Sequence, residues 1–177
     1  MSLVDINKKL VRNVFLNTEL LLNEGEDQIF EYDIQAYMFL FLKRFLKGTG
    51  RTAGREMVQK VDCVIFDHNN VPECFYEIKT YFKAREVILQ KHFEDDIDKL
   101  AKLLQLHSNA TAMFITAGLT KKYTDNKAAK LAYIGEHLSN NSSWHNLTTT
   151  SGIDIKLRPS VKETRGLCNV MTWEIML

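Results

Sequence analysis

The chain has 177 residues, 45% of them apolar and 25% charged, with a formal net charge of +1. That length suits one domain of ordinary size, and the composition suits a folded globule and excludes a wholly disordered chain. The near-balance of charge excludes a uniformly basic nucleic-acid coat but leaves room for a local basic groove. Cys63, Cys74 and Cys168 are odd in number and have no C-x-x-C spacing, so neither a disulfide framework nor a cysteine-rich zinc site is expected. The start, Met1-Ser2-Leu3-Val4-Asp5, lacks the layout of a secretory signal. The apolar stretch Tyr37 to Leu46 is interrupted by Lys43-Arg44 and falls short of a bilayer span. A cytoplasmic chain with no membrane contact is the expectation.

In chain order, residues 4–22 place Leu10, Val11, Val14, Phe15, Leu21 and Leu22 at helical spacing and predict a first helix. A second helix is expected over about 27–47, where Phe30, Ile34, Tyr37, Met38, Phe41 and Phe45 make one apolar stripe. Gly48 ends it, and residues 48–55 read as a basic, flexible connection. Residues 61–66 and 74–79 are β-branched and aromatic and flank a turn-rich stretch, which predicts a β-hairpin. A long helix follows over about 84–107, with Ile97, Leu100, Leu103 and Leu104 on one side. Residues 111–116 predict a buried strand, 124–139 a helix, 140–151 a polar loop, and 153–157 and 169–175 two late strands. The order α-α-β-β-α-β-α-β-β describes one α/β domain over 1–177, with a central mixed β-sheet flanked by helices.

The hairpin concentrates the chemistry. A two-residue loop at Asn69-Asn70 suits positive φ angles. It pairs 68 with 71, 66 with 73 and 64 with 75, and sets Asp62 opposite Glu77. Directly opposed residues stand with Cβ atoms about 4.5–5.5 Å apart. Two carboxylates so placed repel unless a positive charge lies between them. Lys79, on the face of Glu77, is one such charge, and a divalent metal is the other candidate. Oxygen donors of this kind suit Mg²⁺ or Mn²⁺ rather than zinc. The competing interpretation is an ordinary cross-strand salt bridge on a surface hairpin.

Val61-Asp62, a turn, then Glu77-Ile78-Lys79 on the second strand resembles the PD-(D/E)XK, or restriction-endonuclease-like, phosphodiesterase superfamily. Val61 stands where that motif has its proline. The resemblance covers about residues 27–139, and the flanking parts 1–26 and 140–177 carry none. It implies a restriction-endonuclease-like fold and a Mg²⁺- or Mn²⁺-dependent nuclease, an endonuclease acting on DNA. Asp62 and Glu77 would bind the metal together with Ile78, and Lys79 would position or activate the attacking water. It also implies an acidic residue from the leading helix, for which Glu31 is the first choice and Asp33 the second, with Glu56 a third.

Between Lys43 and Lys91 the chain carries ten basic and six acidic residues. Arg51, Arg55, Lys60, Lys83 and Arg85 are therefore the expected phosphate contacts, which give affinity without reading sequence. A homodimer through the exposed face of the first helix is a further expectation. The alternative function is a non-catalytic module of a restriction or mobile-element system that binds nucleic acid or protein. A P-loop, a zinc hydrolase motif and a serine-nucleophile elbow are all absent from the sequence.

Overall fold

The computed structural model describes residues 2–23, 31–80, 86–119, 143–166 and 168–177. Helices α1 (Leu3–Asn23) and α2 (Glu31–Phe45) lead into strands β1 (Thr52–Gly54), β2 (Cys63–Phe66) and β3 (Pro72–Thr80). Helix α3 (Glu86–Leu106) and strand β4 (Thr111–Leu119) follow. The chain closes with β5 (His145–Thr148), β6 (Asp154–Arg165) and β7 (Cys168–Met176). All seven strands join one sheet in the order β1-β2-β3-β4-β7-β6-β5. Among the described residues only β3 and β4 run parallel. A parallel pair needs a crossover, and α3 supplies it. The expected α/β class and mixed sheet are therefore present, in a single domain.

The sheet has a core on each face. Ile6, Leu10, Val14 and Phe15 of α1 and Ile34, Met38 and Leu42 of α2 pack on Cys63, Ile65, Tyr76, Ile78 and Ile115. On the other face Ile97, Leu100, Leu103 and Leu104 of α3 pack on Val64, Phe75, Phe114 and Trp173. Strict alternation sends Cys63 to the first core and Val64 to the second, so Cys63 is a buried thiol in the helical layer, as its position opposite Asp62 requires. A buried bond from Tyr76 Oη to Asn7 Oδ1, 2.6 Å, ties α1 to the sheet. Leu16, Leu20 and Leu40 on the outer side of α1 and α2 are exposed.

Several expectations need correction. The supposed flexible connection after Gly48 contains β1, which pairs with β2 through Thr52↔Phe66 and Gly54↔Val64. The supposed polar loop contains β5, paired with β6. Strand β6 does not stop at Leu157 but passes through Pro159. A register shift between Pro159 and Lys162 accommodates the missing amide. The expected helix over 124–139, and the first residues of the second helix as read from the sequence, lie outside the described residues.

The hairpin loop is also longer than expected. Asn70 N donates to Asp67 O at 3.1 Å, Asp67 N donates to Val71 O at 2.9 Å, and Asn70 sits at φ 63°. Residues 68–70 thus form a three-residue loop with one left-handed position rather than two. The Asp67 carboxylate holds it by accepting from Asn69 N and Val71 N. This loop shifts pairing by one residue, to Phe66↔Pro72, but a bulge at Glu73 shifts it back, to Ile65↔Cys74 and Val64↔Phe75. The two offsets cancel, and the expected register returns as far as Cys63↔Tyr76, where the ladder ends just before Asp62 and Glu77.

Candidate functional site

Strand β2 begins at Cys63, paired with Tyr76. Beyond that pair, the end of β3 has a ladder partner only on the β4 side. Its amides on the open side still need acceptors, because a buried N–H without one is costly. Two carboxylates take the place of the missing strand. Asp62 Oδ2 accepts from Ile78 N at 2.7 Å, and Glu31 Oε2 accepts from Thr80 N at 3.4 Å. The notch left by the short strand admits α2 side chains to the end of the sheet that α3 covers.

Four acidic and two lysine side chains meet there. Lys79 Nζ lies 3.2 Å from Glu31 Oε1 and 3.0 Å from Asp96 Oδ2. Lys99 Nζ contacts Glu77 Oε1 and lies 3.8 Å from Asp96 Oδ1. Asp62 Oδ1 accepts from Gln35 Nε2 at 2.8 Å, and Gln35 Oε1 in turn accepts from Arg55 Nη2 at 3.4 Å. Asp62 is 8% exposed and Glu77 only 2%. On β4, Thr116 is the register partner of Lys79 and is fully buried. Its hydroxyl has no hydrogen-bond partner among the described residues.

The carboxylates are electrostatically crowded. Burial, reinforced by the charges of Glu31 and Asp96, pushes Asp62 up to about 6, although the Ile78 amide and Lys99 pull it down. Burial also pushes Glu77 well up, with the charges of Asp62 and Asp96 adding to it and Lys99 opposing. Lys79 is shifted the other way. Burial lowers it, but Asp96 and Glu31 more than offset this, so its ammonium is held above the usual lysine range. An excess of buried negative charge with raised carboxylates is an environment that a divalent cation relieves.

The chemistry of these donors fits one kind of metal and not another. Among the described residues, no three His, Cys, Asp or Glu side chains converge as a ligand group. A zinc site of three or four side chains is therefore not formed by them. Two carboxylates with a main-chain carbonyl, such as that of Ile78, and water match the oxygen-rich, partly hydrated sphere of Mg²⁺ or Mn²⁺.

Of the acidic residues weighed on α2, Glu31 pairs with Lys79. Glu56 is exposed, at φ 52°, in a loop that also holds Gln59 and Lys60 at positive φ. Arg55 and Lys60 both precede Asp62 in the chain, and the Arg55 guanidinium reaches Gln35 Oε1. Arg51 ends instead in a two-pronged bond to Glu73, with Nη2 at 3.0 Å from Oε1, which ties it to the bulge of the hairpin. Lys83 and Arg85 lie outside the described residues.

Gln35, Asp96, Lys99 and Thr116 were not anticipated. Gln35 precedes Met38 and Leu42 by three and seven positions, a polar residue inside an apolar stripe. Asp96 and Lys99 each precede a core residue of α3, Ile97 and Leu100, and so border its buried face. Comparison with protein-family models, with curated proteins and with solved structures gives no match to the chain.

Proposed function

We propose that the protein is a restriction-endonuclease-like, Mg²⁺- or Mn²⁺-dependent nuclease that hydrolyses DNA phosphodiester bonds. The observation that carries this reading is the meeting of Asp62, Glu77 and Lys79 with Glu31 at the notch beside β3. The hairpin, the α3 crossover and the parallel β4 around it agree with the resemblance in the sequence. Asp62 and Glu77, with the Ile78 carbonyl, would hold the metal. When bound, such an ion polarises a phosphate oxygen and lowers the pKa of a coordinated water.

The remaining work falls to the chain's own groups. Lys79, clamped between Glu31 and Asp96, keeps its proton. It therefore orients the attacking water and stabilises charge developing on the phosphoryl oxygens, rather than accepting a proton. Gln35 fixes the rotamer of Asp62 through Oδ1, while the Ile78 amide fixes Oδ2. Arg55 and Lys60 supply phosphate contacts that position without reading bases.

The test is cleavage of supercoiled plasmid and of a labelled single strand, in Mg²⁺, Mn²⁺ or EDTA, beside the Glu77→Ala protein. Metal-dependent nicking by the wild type, lost in the variant, is expected. Nicking retained in full by Glu77→Ala, or unaffected by EDTA, overturns the assignment.

A further inference from the structure

Lys99 is the side chain whose placement the proposed nuclease reading does not absorb. It projects from α3 on the last residue of Asp96-Ile97-Asp98-Lys99, one turn after Asp96. Its ammonium reaches inward to the least exposed carboxylate of the cluster, Glu77, and stays near Asp96. Asp96 in turn shares its other oxygen with Lys79. The two lysines are not equivalent. The Lys79 side chain is 15% exposed and held by two carboxylates from different helices. The Lys99 side chain is 28% exposed, on a flexible four-carbon stem.

A buried carboxylate facing another carboxylate requires a cation. Here that cation is Lys99. A divalent ion held by the same Glu77 would bring two positive charges against the Lys99 ammonium at short range, an arrangement that strongly disfavours both remaining in place. Lys79 does not meet the same conflict in the same degree, because Glu31 and Asp96 neutralise it locally.

We infer that Lys99 is a displaceable internal counter-ion: it holds Glu77 when no divalent cation is bound, competes with that cation for the carboxylate, and swings towards solvent when the cation enters. The inference rests on the proposed metal site. It gives the site two alternative occupants of one position and sets a threshold of cation concentration below which the site closes on itself. Once displaced, the ammonium lies at the rim of the site, where an anionic substrate approaches. Its charge is then available to the substrate only in the metal-loaded form.

The experiment is calorimetric titration of the full chain and of Lys99→Met with Mn²⁺ alone, without nucleic acid. Removal of one opposing charge at close range is expected to tighten Mn²⁺ binding by about tenfold or more, and to lower the melting temperature in EDTA. A second measurement needs only the wild type. Acylation of lysine amines is quantified by mass spectrometry in EDTA and in saturating Mn²⁺, with Lys102, paired to Asp98 on the same helix, as the internal reference. Lys99 is expected to become several-fold more reactive in Mn²⁺ relative to Lys102, the direction for an amine released from a buried carboxylate.

The outcomes separate the two claims. Wild-type protein that binds no Mn²⁺ overturns the metal site itself. Wild-type protein that binds Mn²⁺, with equal or weaker binding by Lys99→Met or unchanged Lys99 reactivity, overturns the counter-ion alone.

Discussion

Glu31 of α2 and Lys79 of β3, 48 positions apart in the chain, meet at 3.2 Å across the end of β2. The two elements contribute to different layers, and their side chains meet because β2 is only four residues long. Had β2 extended back to Gln59, the position opposite Thr80 in the same register, a backbone carbonyl would occupy the place of the Glu31 carboxylate. The short strand is therefore part of the site.

Glu31 has two separable duties, a charge opposite Lys79 and an acceptor for the Thr80 amide. Glu31→Gln keeps an acceptor and removes the charge, whereas Glu31→Ala removes both. Both variants are expected to lose cleavage by about tenfold or more, as positioned polar groups at a reacting centre do. Only Glu31→Ala is expected to lose stability, by about 1 kcal/mol, the usual net worth of a hydrogen bond. Plasmid nicking and urea unfolding check the pair. Full activity in both variants would remove Glu31 from the machinery.

The raised carboxylates make the metal-free protein sensitive to alkali. Asp62, at about 6, binds a proton in the folded state that an unfolded aspartate, near 4, has already released. The folded state then holds more protons than the unfolded one, so stability falls as pH rises. This contribution is complete below the ordinary carboxylate range and is lost as pH rises through the folded value. Denaturant midpoints in EDTA are expected to decline from about pH 5 through neutral pH. The decline is expected to weaken in Glu77→Gln and in saturating Mg²⁺. A flat profile in EDTA would show that the cluster is not strained by its charges.

Asp98 provides the control on the same helix. It points away from the site, accepting from Ser151 N at 2.9 Å and Ser151 Oγ at 2.7 Å and pairing with Lys102. Burial raises its pKa, but these partners more than offset that and hold it well below the usual range. A depressed acid stabilises above its unfolded pKa and loses that effect as pH falls through the folded one. Asp98→Ala is expected to cost about 1–3 kcal/mol, since the Ser151 amide loses its acceptor, while cleavage per folded molecule stays unchanged. Loss of activity in the fully folded variant would mean that the β5–β6 turn reaches the site.

The long amphipathic segments of α1, α2 and α3 and the continuous apolar runs of β3 and β4 were legible in the sequence, because their burial is written in period. So was the register of β2 on β3 next to Asp62 and Glu77, although through a loop of the wrong length. Strands β1 and β5, at the two edges of the sheet, were missed. Thr52-Ala-Gly and His145-Asn-Leu-Thr have little β-branched or alternating character, and their pairing is imposed by the neighbouring strand. The continuation of β6 past Pro159 was hidden for a related reason: only the partner, β7, shows where a bulge can house the proline.

Of the site, residues on the hairpin could be placed by strand parity, a local rule. Asp96 and Lys99 belong to it through the docking angle of α3 on the sheet, which no local pattern encodes. Gln35 was the one outlying member with a visible sign, a polar side chain on an otherwise apolar stripe.

The paired offsets in the hairpin, an extra residue at the turn and another at Glu73, have a consequence for how this chain can change. The extra residue at the tip is taken up at Glu73, before it can invert the faces of Asp62 and Glu77. The tip is thus insulated from the chemistry it folds together. Loss of the extra turn residue together with the bulge at Glu73 would leave the register beside the two carboxylates unchanged.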